Sequence, residues 1–128
     1  MMLLVMVFSM SSFASSGSGI VRVAKNSVMT QAKTGISRSR GYTYALVTAN
    51  SVYPVESYEQ DTYKYCLTRL YHNTIGNKPI SATYQIKEGA TYQIKFYEGY
   101  YNLTKFDLCF AGNSPDLEAY VVYTYDGK

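Results

Sequence analysis

The chain is 128 residues long, 47% apolar and 16% charged, with a formal net charge of +3. That is one domain with enough apolar content for a core; it excludes a disordered, solvating chain and is too mildly basic to mark a nucleic-acid binder. Fifteen tyrosines, five phenylalanines and no tryptophan accompany only two cysteines and one histidine, which leaves few groups for metal or nucleophile chemistry.

Residues 1–14 differ in chemistry from all that follows. They carry no charge, hold Met1, Met2, Met6 and Met10, and contain no tyrosine. An apolar run over 3–10 leads to Ser12 and Ala14, small residues at the spacing a signal peptidase reads, so an export signal cleaved after Ala14 is expected. The run is too short for a permanent membrane span, and no basic residue precedes it. The product is therefore expected to be secreted. Residues 15–19, Ser-Ser-Gly-Ser-Gly, read as a flexible tether by composition, and residues 20–128 as a single domain.

From 15 to 41 the chain holds Arg22, Lys25, Lys33, Arg38 and Arg40, with no acidic and no aromatic residue. Such a segment fits either a basic arm that meets an anionic surface or a first edge strand protected by its charges. Beyond Tyr42 the hydrophobic period is two. Phe106, Leu108 and Phe110 alternate with Asp107, Cys109 and Ala111; Tyr92, Ile94 and Phe96 alternate with Thr91, Gln93 and Lys95. Residues 119–125 are apolar or tyrosine on both faces except Thr124, as in an interior strand. Turn signals at Gly76-Asn77-Lys78-Pro79, Glu88-Gly89, Glu98-Gly99 and Gly112-Asn113-Ser114-Pro115 separate these runs. Short strands with one dry face predict an all-β antiparallel β-sandwich of seven or eight strands, Ig-like or jelly-roll-like. Residues 62–72 also carry helical spacing through Tyr63, Cys66, Leu67, Leu70 and Tyr71, but Thr62-Tyr63-Lys64-Tyr65 favours a strand.

The hexapeptide Ala-Thr-Tyr-Gln-Ile-Lys occurs twice, at 82–87 and 90–95. Either a three-residue loop, Glu88 to Ala90, sets Ile86 opposite Tyr92 in a hairpin with one dry face, or the chain crosses between sheets there. In an oxidising compartment Cys66 and Cys109 are expected to form a disulfide.

Chemistry is thin. His72 is the sole histidine, and Cys66, six residues away, lies roughly 20 Å off along a strand. Glu56, Glu59 and Asp61 form one acidic cluster beside Tyr53 and Tyr58, and Asn113, Asp116 and Glu118 one group of oxygen ligands, without an EF-hand pattern. No metal and no cofactor is expected. Tyrosine, flat, apolar and carrying a hydroxyl, is the recognition side chain of choice, and Tyr97, Tyr100 and Tyr101 crowd one turn. The sequence thus points to a non-catalytic binding module for a glycan or anionic cell-envelope polymer, with Tyr97, Tyr100 and Tyr101 as contacts and Arg38 and Arg40 as charge. The alternatives are a membrane-acting effector or antimicrobial protein using the basic segment, and a small extracellular hydrolase using His72 or Glu56.

Overall fold

The computed structural model describes residues 15–24, 28–39, 42–56, 65–112 and 118–128. The expected signal segment, Arg40, Tyr58, Glu59, Asp61, Asn113 and Asp116 lie outside them. Eight strands are present: β1 (Ser16–Val23), β2 (Thr30–Ser37), β3 (Tyr44–Pro54), β4 (Tyr65–His72), β5 (Tyr84–Lys87), β6 (Thr91–Lys95), β7 (Lys105–Ala111) and β8 (Ala119–Asp126). One 3-10 turn covers Glu98–Tyr100.

The strands form two four-stranded sheets, β1-β8-β3-β6 and β2-β7-β4-β5, antiparallel throughout. The pairs β1/β8, β2/β7, β3/β6 and β4/β5 mean that the first strand pairs with the last, the second with the next to last, and so inward to β4/β5. That is a long hairpin wound into a sandwich, the topology of a jelly roll, and it decides between the two sandwiches the sequence allows. The expected interior strand is β8, flanked by β1 and β3, and the ambiguous segment is strand from Tyr65 to His72.

Period-two alternation builds the core. Ala45, Val47, Ala49, Ile94, Val121, Tyr123 and Tyr125 project from one sheet, and Cys66, Leu70, Ile86, Phe106, Leu108 and Phe110 from the other. Phe110 meets Tyr123 across the interior with ring centroids 5.1 Å apart, and Phe96 meets Phe106 edge-on at 5.3 Å. The outer face of the first sheet is polar, with Ser18, Thr124, Thr48 and Thr91 in one cross-strand row.

Two expectations are corrected, the tether and the disulfide, and one open alternative is decided. Residues 15–19 are no tether: Ser16 to Gly19 begin β1 and pair with Asp126 to Tyr123. Their glycines have a packing reason, since a Cβ on Gly19 would lie 2.6 Å from the Tyr123 hydroxyl and one on Gly17 2.7 Å from that of Tyr125. Bare backbone there leaves room for two tyrosines of β8.

At the repeated hexapeptide the structure takes the second of the two arrangements, the crossing between sheets. β5 and β6 are edge strands of different sheets, so the chain crosses between sheets at Glu88-Gly89. Gly89, at φ +88°, gives its N–H to Ala49, and the Glu88 carboxylate accepts the Val52 N–H, so this turn satisfies backbone groups around the β3 bulge between Ala49 and Ser51. The repeat then acts symmetrically: the Tyr84 hydroxyl accepts the Lys95 N–H and the Tyr92 hydroxyl accepts the Lys87 N–H.

The disulfide is absent: both cysteines are free and buried. Cys109 stands opposite Arg69, three residues along β4 from Cys66. An odd offset puts the two side chains on opposite faces, roughly 10 Å apart along the strand, beyond the Cα reach of about 7 Å that a disulfide tolerates. Cys66 points into the core and Cys109 to the outer face.

Candidate functional site

The tyrosine turn at 97–101 has one exposed member. Tyr97 is 43% exposed, and its hydroxyl lies 3.3 Å from an Arg69 guanidinium nitrogen that donates to it. Tyr100 and Tyr101 are half-buried and pack against the core. The Tyr100 ring stands edge-on to His72 with centroids 6.1 Å apart, and the Lys78 ammonium lies 5.9 Å from its centre.

Arg38 is not a surface charge. It is 6% exposed, stacks 4.1 Å above the Phe96 ring, and donates to the carbonyls of Tyr100, Tyr101, Leu103 and Tyr42. A planar guanidinium with several fixed donors suits a loop whose carbonyls converge. Burial lowers its pKa, and its Nε finds no partner. Arg38 therefore shapes the turn that carries the tyrosines instead of presenting a cation beside them. Arg22 and Lys33 stand on edges: β1 and β2 are the outer strands on one side of the sandwich, and Arg22 forms a 2.6 Å ion pair with Glu118.

Two other chemical candidates, His72 and Glu118, have local partners. The Nδ1 of His72 accepts the N–H groups of Thr74 and Ile75, capping the turn that follows β4. Glu118, one of the expected oxygen ligands, is held by Arg22, and among the described residues no group of three or more His, Cys, Asp or Glu gathers to hold a metal. Glu56 is exposed at the end of β3.

A second site, which the sequence reading missed, lies on the outer face of β2-β7-β4. A cleft of about 350 Å³ opens there, walled by Met29 and Gln31 from β2 and its approach, Tyr71 from β4, Asn73 and Asn77 from the turn after β4, and Asp107 and Cys109 from β7. Its centre is Asp107, 6% exposed. The Gly35 N–H and the Asn73 amide both donate to Oδ1 at 3.0 Å, and the Gln31 amide donates to Oδ2 at 3.0 Å. β2 is irregular for this reason. Two register shifts between Gln31 and Ile36, with Gly35 at φ +63°, turn the Gly35 amide toward the carboxylate. A β-bulge re-aims backbone in this way.

Cys109 shares the cleft wall, and burial, aided by the neighbouring Asp107 charge, pushes its thiol up to about 12. Cys66, in the core, is pushed by burial to the same range. The nucleophilic form of cysteine is the thiolate, so Cys109 stays a protonated, weakly polar wall at neutral pH.

A signal for this cleft exists in the sequence: Asp107 lies between Phe106 and Leu108, in the most apolar strand after β8. A carboxylate there needs donors, but their origin in residues 31, 35 and 73 depends on a bulge and a turn that the hydrophobic pattern does not encode. No family model, no curated protein and no solved structure matches the chain. Among the described residues no helix is long and apolar enough to cross a membrane.

Proposed function

We propose that the chain is a secreted, non-catalytic binding module whose ligand is a glycan, taken at the outer face of the β2-β7-β4-β5 sheet. The observation that carries this reading is the cleft over Asp107. It combines an aromatic side chain, a carboxylate and three carboxamides around about 350 Å³, near the lower end of small-ligand clefts. Sugars present hydroxyls that both donate and accept, and such side chains, held rigid by one another, offer matching acceptors and donors. Tyr97 and Arg69 lie on the same side of the molecule, where Arg69 stands opposite Cys109 in the sheet. They extend the polar and aromatic face beyond the cleft.

Support for a non-catalytic role comes from the state of the reactive groups. Cys109 is held as a thiol, and the Nδ1 of His72 is engaged by its own turn. Jelly rolls include lectins as well as capsid proteins, so the fold permits this reading without selecting it.

Retention of residues 15–128 on insoluble polysaccharides and isolated cell envelopes, at low and high salt, tests it. Binding that survives high salt and falls in Gln31→Ala is expected. Absence of retention on every polysaccharide overturns the glycan reading, and retention that vanishes with salt transfers it to an anionic polymer.

A further inference from the structure

We infer that the Asp107 cleft reads a single neutral sugar unit, a pyranose ring or chain end bearing adjacent hydroxyls, and discriminates against anionic sugars. The inference rests on the glycan reading and specifies its ligand.

A carboxylate offers about four lone-pair positions. In Asp107 two are filled on Oδ1, by Gly35 and Asn73, and one on Oδ2, by Gln31. One acceptor position on Oδ2 remains, in a carboxylate that is 94% buried and lines the cleft. Gln31 and Asn73 each give one amide N–H to Asp107, so each keeps a second N–H and its carbonyl oxygen. The cleft thus places one acceptor between two groups that both donate and accept. That is the complement of neighbouring hydroxyls, the first donating to Asp107 and the next meeting a carboxamide.

Charge sets the selectivity. Among the described residues no lysine or arginine lines the cleft, and Asp107 has no cationic partner there. A uronate or phosphate would meet a buried negative charge with nothing to offset it. Among the described residues no group of three or more His, Cys, Asp or Glu gathers to hold a metal ion. The volume also limits length: a cleft this small covers one sugar unit at a time.

The test is a titration of residues 15–128 followed by the NMR signals of the Gln31 and Asn73 side-chain amides. The probes are the methyl glycosides of glucose, galactose and mannose, then glucuronic acid and inorganic phosphate. At least one neutral glycoside is expected to shift both amides saturably, with an affinity unchanged by salt, while the anionic probes leave them in place. Two variants locate the effect: Gln31→Ala removes one partner of the diol, and Cys109→Leu fills the cleft without touching the hydrogen bonds of Asp107. Each is expected to weaken binding at least tenfold. Preferential binding of glucuronic acid or phosphate overturns the inference, as does the absence of any shift with all three glycosides. Polysaccharide retention that persists in both variants overturns it too, but leaves the glycan reading standing on the Tyr97 face. Loss of retention by the unaltered chain ends both.

Discussion

Two charged residues illustrate how far burial outweighs residue type. Arg38 and Arg22 both come from the basic N-terminal stretch, yet one is buried under a loop and the other sits in an exposed ion pair. Replacing Arg38 by Met leaves four converging carbonyls without their donor. With charged hydrogen bonds contributing about 1.5–3 kcal/mol each and acting together, a loss of about 3 kcal/mol is expected. Thermal unfolding checks this, and the companion variant Arg22→Ala should leave Tm almost unchanged, as exposed pairs contribute little. The cysteines give a second test at this scale. Denatured protein should titrate two free thiols, and reductant should not move Tm. Because the folded thiols ionise only near 12 against an ordinary value of 9.0, the unfolded chain loses its protons first. Stability from this source is complete below pH 9 and declines as pH rises toward 12, which denaturant titrations at pH 8 and 10.5 would register. Stability that holds level between those two values would contradict the assigned burial.

At the scale of elements, the repeated hexapeptide closes the sandwich along its β5/β6 side. Each copy buries its isoleucine, Ile86 or Ile94, and sends its tyrosine to the backbone amide of the other copy's lysine. An edge strand with open N–H groups invites pairing with another chain, and the reciprocal hydroxyls occupy one such group on each edge. Tyr84→Phe is therefore expected to speed hydrogen exchange at Lys95, and Tyr92→Phe at Lys87, each with a cost of about 1 kcal/mol. Exchange that rises at the mutated strand alone would argue against the crosswise arrangement. The regular strands here were readable because a strict two-residue period survives in β6 and β7, while β8 is apolar or tyrosine on both faces except at Thr124. β1 and β2 were not. In β1 the inward positions 17 and 19 are glycines that make room for tyrosines of another strand, so the hydrophobic signal of the buried face is confined to Val21 and Val23. In β2 two register shifts break the period. The cleft inherits the same difficulty, since Gln31 and Gly35 come from that irregular strand and Asn73 from a turn, while the exposed Tyr97 was visible from its place in a loop.

Across the whole molecule, the pairing of first strand with last ties the two ends of the chain into one cooperative unit. β1 contacts β8 along its full length, Ser16 opposite Asp126 through Val23 opposite Ala119, and β2 likewise edges β7. Pairings this distant in sequence make folding slow for the size, in the millisecond-to-second range typical of β-sandwiches. They also decide what a deletion means. Removing residues 15–41 to test a basic arm would delete two strands, uncover Val121 and Phe110, and strip the Asp107 carboxylate of Gln31 and Gly35. Such a truncation is expected to lose its cooperative unfolding transition by circular dichroism. Loss of any activity in it would report the fold and say nothing of charge. A fold-preserving test replaces Arg22 and Lys33 by Gln, since Arg22 and Lys33 are exposed on the edge strands. If the basic segment attracts an anionic surface, vesicle binding should fall in that variant at low salt while Tm holds. If the cleft is the functional site, retention on neutral polysaccharide should be the same in the variant and the unaltered chain. A cooperative transition in the truncated chain would show that β1 and β2 are dispensable, and the first-to-last pairing would then not be what holds the sandwich together.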